Sequence, residues 1–365
     1  MHRLLIALLL AGVIAAAVLS LRPQQPVEGE YLVFGTRARI QLRDADQDQA
    51  QAALEDIGKL FAHDHQSWHP WNPSDLTRLN DALAQGHAAR VPPDVADMIR
   101  RAQEGYELSD GWFNAAAGKL IGAWGFHTSK YPVETPAPTD TQIHAMVAAL
   151  PTMRDVHVAG DGTVSASNTA VSLDLNGLAE GYAAGQVRQL LDKHGIDHAL
   201  IYIGGFVLAV GDNDGKPWRV GLNSPSGVMA GVTLHDGEAL SSSGDYVRHR
   251  ATPGEGGHII DTRQGHPQHV SSAASVILND PTVADMASTA LMVAGPAGFQ
   301  RATERMHLGC AMLLGHDGIL RVTSGMRLRL RANGASMPME VLPGPALDCQ
   351  PAGVRPPQVV ISPEL

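Results

Sequence analysis

In Ala284-Asp285-Met286-Ala287-Ser288-Thr289-Ala290 a carboxylate and a hydroxyl stand four residues apart in an otherwise apolar run. On a helix, positions i and i+4 share one face about one turn apart. Asp285 and Thr289 can therefore offer two hard oxygen ligands to one small cation, and magnesium favours such sets. A plainer reading also stands, with Asp285 at the first helical turn and Thr289 bonding back to a carbonyl. His258, in His258-Ile259-Ile260-Asp261, is the side chain best suited to take up a proton near neutral pH. A histidine followed by apolar residues also reads as structural. Ser241-Ser242-Ser243-Gly244-Asp245 is a small, hydroxyl-rich stretch whose backbone a phosphate can approach, or simply a turn.

Taken in order, Asp174-Leu175-Asn176-Gly177-Leu178-Ala179-Glu180-Gly181-Tyr182-Ala183, Ile203-Gly204-Gly205, Ser241 to Tyr246, His258 to Asp261 and Ala284 to Thr289 resemble the motifs of the ApbE family, the FAD:protein FMN transferases. Upstream, Gly111-Trp112-Phe113-Asn114-Ala115-Ala116-Ala117-Gly118 and Trp124-Gly125-Phe126 look like that family's sugar-and-base-binding stretch. The resemblance runs from Phe34 to Arg331.

The resemblance implies an α+β fold, related to the T-fold, with mixed sheets flanked by helices. It implies magnesium-dependent transfer of the FMN part of FAD to a Thr or Ser hydroxyl of an acceptor protein, with release of AMP. Under it, Asp285 and Thr289 are side-chain ligands of Mg2+ and the Gly177 carbonyl is the third ligand. Asp174 and Glu180 bind FAD, Trp112, Phe113 and Asn114 contact its adenosine part, and Trp71 touches the cofactor or simply packs. Ile260 packs on the cofactor. His258 accepts the acceptor's proton, and Asp261 orients it or supports the loop. Three positions depart from the pattern: Glu180 where many members carry Lys, Phe34 as an apolar lid in place of Met, and Phe206 in place of a polar residue. Two other activities fit the same residues: flavin binding or storage without transfer, and metal-dependent cleavage of FAD to free FMN.

The chain has 365 residues and a net charge of -10, and its 27 Lys and Arg are scattered rather than clustered, which excludes a nucleic-acid partner. Met1-His2-Arg3 precedes an uncharged, apolar run over 4–21, the pattern of a signal peptide or an N-terminal membrane anchor within residues 1–26. The expected location is the periplasm or the outer face of the cytoplasmic membrane. The expected acceptor is another exported or membrane redox protein. No Cys lies near the end of that run, so lipoprotein anchoring is excluded. Cys310 and Cys349 can pair in an oxidising compartment, or Cys310 can be a buried thiol.

The catalytic domain is expected over 27–332, with a Pro-rich tail over 333–365. Residues 31–42 read as a strand and 47–63 as a helix. His65 to Asn72 reads as a solvated aromatic loop. His63, His65 and His69 are not taken as a metal site, because no acidic or Cys ligand accompanies them at a zinc-like spacing. Helices are expected at 93–108, 141–150, 176–194, 282–295 and 296–306, and a hairpin at 156–172. A single buried strand is expected at 199–210, and two strands at 220–240. Trp124 and Phe126 read as core.

Overall fold

The computed structural model describes residues 26–149, 151–224, 227–332 and 337–344. Residues 1–25, Cys349 and the tail beyond 344 lie outside them, so the N-terminal segment and the pairing of Cys310 are not described. Among the described residues no helix is long and apolar enough to cross a membrane.

The backbone is built on a nine-stranded sheet whose strands lie side by side in chain order. These are β1 (Val27–Val33), β2 (Thr36–Arg43), β3 (His198–Ile203), β4 (Phe206–Val210), β5 (Ala239–Gly244), β6 (Ser271–Leu278), β7 (Cys310–Gly315), β8 (Leu320–Thr323) and β9 (Met339–Leu342). Neighbours are antiparallel, except that β8 and β9 run parallel. The helices are α1 (Gln47–Ser67), α2 (Asp75–Ala84), α3 (Pro93–Leu108), α4 (Gly118–Ala123), α5 (Asp140–Ala148), α6 (Asn176–Lys193), α7 (Pro281–Arg305) and α8 (Ser324–Arg329). The result is an α+β fold of mixed sheets with helices.

The central strands read as unbroken apolar runs because both faces of the sheet are covered. Side chains of a strand alternate between faces. Phe206, Leu208, Ala274, Val276, Ala311 and Leu313 accordingly join the core beneath α1, α3, α6 and α7. Val207, Ala209, Ala273, Ile277 and Met312 join a second core with Trp218 and Val232, from the hairpin Trp218–Ser224 and Gly227–Leu234. A third, small cluster gathers Leu120, Trp124, Phe126, Val133, Ile143 and Ile260.

Helix starts follow local chemistry. Asp46 caps α1 by accepting from Gln49 N, and Ser74 and Thr77 form a reciprocal capping box on α2. Pro93 and Pro281 occupy first-turn positions where their missing N–H costs nothing. The two helices expected at 282–295 and 296–306 are both present within α7, divided at Gly295, whose φ of 64° only glycine adopts freely.

Four expectations need correction. The segment 31–42, expected as one strand, is the hairpin of β1 and β2, turning at Phe34 and Gly35 with φ 53° and 71°. The segment 199–210 is a hairpin, β3 and β4, turning at Gly204 with φ 57°. An unbroken apolar run hides such a turn because nothing polar marks it. The 220–240 region holds the hairpin strands plus the first residues of β5. The domain does not end at 332, since Met339–Leu342 pairs with β8 as β9.

Candidate active site

Helices α6 and α7 meet at Gly181. A Cβ there would stand 2.2 Å from Pro281 O and 2.9 Å from Asp285 Cβ, so only hydrogen fits. Close approach lets Gly181 N donate to Asp285 Oδ2 at 2.9 Å, while Ser241 on β5 donates to Oδ1 at 3.2 Å. One turn on, Thr289 Oγ1 lies 3.4 Å from Ser243 Oγ. Ser288 joins Ser241 and Ser243 at 3.0 and 2.7 Å. A Cβ on Gly177 would lie 3.7 Å from Thr289 Oγ1, so Gly177, Asp285 and Thr289 share this seam. Its carboxylate and hydroxyls are hard oxygen donors.

The seam gathers two buried carboxyl groups. Burial, then the neighbouring Glu180, hold the Asp285 carboxyl well above its usual range. Glu180 itself is pushed up to about 7 by burial, against the opposing pull of Arg248 and the Gly205 N–H. Gly205 N donates to Glu180 Oε2 at 3.1 Å; a Cβ on Gly204 would come within 2.2 Å of Oε1 and one on Gly205 within 2.4 Å of Ser242 O, which explains the glycine pair at the β3–β4 turn. A divalent cation held at Asp285 would offset the cost of burying these carboxyl groups. The donor set fits one.

Arg248 organises the opposite rim. Its Nη2 donates to Phe34 O at 3.2 Å, and its carbonyl accepts from His258 N at 2.9 Å and faces His258 Nδ1 at 3.3 Å. Burial and then the Arg248 charge push the His258 imidazole down to about 4, so it is neutral at pH 7. With Nδ1–H donating to the Arg248 carbonyl, Nε2 carries the lone pair. Phe34 sits at the β1–β2 turn with φ 53° and stacks on Trp68 at 5.6 Å. Asp174 accepts from Asn176 N at 3.0 Å and faces His127 Nε2 at 3.1 Å, and His127 stacks on Trp71 at 5.5 Å. Tyr131 senses both Arg248 and Asp174, which ties this rim to the other.

Residues 34–314 match the ApbE family model. The chain belongs to the ApbE family. It is 34% identical over 322 residues to a FAD:protein FMN transferase of Rhodobacter capsulatus, an alignment covering 87% of this chain and 61% of that relative. It therefore spans about three fifths of that protein's length. A FAD:protein FMN transferase of Klebsiella pneumoniae is 29% identical over 292 residues, covering 77% of this chain and 82% of the relative. The crystal structure of the ApbE protein of Thermotoga maritima superposes with a TM-score of 0.75 at 26% identity, covering 84% of this chain and all of that one. The apo flavinyl transferase ApbE of Pseudomonas stutzeri gives 0.70 at 27% identity, covering 82% and 93%.

Several residues assigned from the ApbE resemblance have partners within the chain. Asp261 does not touch His258. Its oxygens accept from Arg263 and from Gln264 Nε2 at 3.0 to 3.2 Å, so it supports the loop. Asn114 Nδ2 donates to Pro151 O at 3.0 Å and its Oδ1 accepts from Ala116 N at 3.1 Å, bracing the backbone. Trp112 lies under the guanidinium groups of Arg263 and Arg301, each 5.7 Å from its ring. Phe113 packs against Gly177 and Gly105. Ile260 points into the small third core, and Phe206 is fully buried, so the position where other ApbE proteins are polar adds core here. Arg248 and His127 escaped sequence reading. An isolated Arg or His carries no spacing, and only the fold reveals their partners.

Proposed function

We propose that this ApbE-family chain transfers the FMN part of FAD to a Thr or Ser hydroxyl of an acceptor protein, releasing AMP. The observation that carries the reading is the pairing of a hard-oxygen seam at Asp285 with a neutral imidazole at His258, joined through Arg248, whose charge acts on both Glu180 and His258. The names of the relatives support the same activity.

Mg2+ would be held by Asp285, Thr289 and the Gly177 carbonyl, and when bound it would offset phosphate charge. Arg248 supplies a fixed positive charge for the pyrophosphate. His258 Nε2 accepts the acceptor's hydroxyl proton as the oxygen bonds to the FMN phosphorus. The bond from that phosphorus to the AMP phosphate oxygen breaks, and AMP leaves. A bound pyrophosphate raises the basicity of His258 above its free value, because anionic charge favours the imidazolium. Asp174 offers acceptor oxygens to the FAD hydroxyls or pyrimidine, and Trp71 and Phe34 offer apolar surface. The basic start and apolar run within residues 1–26 support a location outside the cytoplasmic membrane, with an exported or membrane redox protein as acceptor.

Purified protein incubated with FAD, Mg2+ and an acceptor domain should add the FMN mass to the acceptor and release equimolar AMP. Binding without AMP identifies a storage protein, and AMP without labelled acceptor identifies a pyrophosphatase. A fusion of residues 1–26 to a reporter active only outside the cytoplasm should be active, and activity of a cytoplasm-only reporter overturns the location.

A further inference from the structure

His63 and Asp64 lie near the end of α1, as expected for His63; the helix runs on to Ser67, so His65 is helical and not part of a solvated loop. Asp64 is fully buried, and neither of its carboxylate oxygens has a hydrogen-bonding partner. Asp94, in the first turn of α3, is also fully buried. Its Oδ2 accepts from Trp68 Nε1 at 2.8 Å and faces His63 Nε2 at 3.3 Å, while its Oδ1 is unpartnered. One donor atom from each of His63, Asp64 and Asp94 lies within 4.8 Å of the other two.

We propose that His63, Asp64 and Asp94 form a divalent-metal site, separate from the Asp285 seam, that takes Zn2+ or Mn2+.

Three facts lead there. Two adjacent buried carboxylates carry a large desolvation penalty unless a cation or a shared proton relieves it. Burial, and then Asp94, hold the Asp64 carboxyl well above its usual range. A mixed set of one imidazole nitrogen and two carboxylates suits zinc and manganese better than magnesium, whose seam on α7 offers oxygen alone. The site also has a structural consequence. Asp94 holds Trp68, and Trp68 carries Phe34 on its face, so the ion would fix the platform under the β1–β2 turn.

The test uses full-length protein carrying Asp285→Asn, so that the seam does not compete. After chelator treatment it is titrated with Co2+, followed by visible absorption, and the bound Co2+ is then displaced with Zn2+ and with Mn2+. One equivalent should bind and raise the melting temperature. Adding Asp64→Asn or His63→Gln should weaken binding by at least the roughly 10- to 100-fold that loss of a supporting metal-site residue costs. No uptake by the Asp285→Asn protein overturns the proposal. So does unchanged uptake after Asp64→Asn, or a higher melting temperature for Asp64→Asn with no metal effect, which marks a shared proton. Should the double variants fail to fold, stoichiometry decides: two equivalents in the parent and one in Asp285→Asn support the site, and one falling to none removes it.

Discussion

The backbone N–H of Gly181 donates to Asp285 Oδ2 at 2.9 Å across the α6–α7 contact. The carboxylate is thereby aimed by the backbone of a neighbouring helix, and Ser241 fixes its other oxygen. Two separate chain segments must dock before this group is placed, so its geometry reports on the whole fold.

Asp285→Asn keeps the shape of that contact and removes the charge. AMP release should slow by about two to three orders of magnitude, the scale of losing one electrostatic contact to a transferring group. Rates measured across a magnesium series, with circular dichroism as the fold control, check this. Wild-type magnesium dependence in the variant removes Asp285 from the metal site.

His258→Asn retains size and hydrogen bonding but cannot titrate. FAD affinity should stay near that of the parent while transfer slows by about two to four orders of magnitude. Parallel losses of FAD affinity and melting temperature would instead make His258 structural. Asp261 already holds Arg263 and Gln264, so Asp261→Asn should lower melting temperature and rate together.

Arg248→Met removes the charge that helps hold the imidazole near 4. The acidic limb of the pH–rate profile should therefore move to higher pH. The KM for FAD should rise about 10- to 100-fold, the size of one lost hydrogen bond to a charged group. A profile that does not move separates Arg248 from His258.

Glu180 keeps its proton to about pH 7 in the fold, against an ordinary value of 4.5. The folded state thus binds more protons than the unfolded chain in that window, and stability falls as pH rises through it. Glu180→Gln stays neutral throughout. Without metal or FAD, its melting temperature should match the parent's near pH 4.5 and exceed it increasingly up to pH 7.5. The His258 shift, which costs stability as pH falls from 6.5 through 4, is common to both proteins and cancels in the difference. A constant gap between the two curves contradicts the raised Glu180 carboxyl.

What was readable in the chain was what local chemistry dictates. Pro93–Leu108 and the Asp285 helix announce themselves by first-turn prolines and apolar periodicity. The i,i+4 pair and the motif order brought Asp285, Thr289, Gly177 and His258 into view, and the fold gathers the first three on one seam. Asp64 and Asp94 were not readable, because thirty residues separate them and only the packing of α1 near α3 makes them neighbours. Ile260 and Asn114 were expected against the cofactor, and what the sequence does not show is that Ile260 joins the third core and Asn114 braces the backbone at Pro151.

The late strand β9 bears on how the protein behaves when shortened. Leu320 N donates to Pro338 O at 2.9 Å, and Leu320 to Thr323 pair along Met339 to Leu342. A chain ended at 332 would leave β8 as a bare edge beside the fully buried β7, with unpaired backbone groups ready to recruit the same strand of another molecule. Self-association of such a truncation, relieved when the chain is kept to 344, would come from a lost edge cover and not from damage to the catalytic residues.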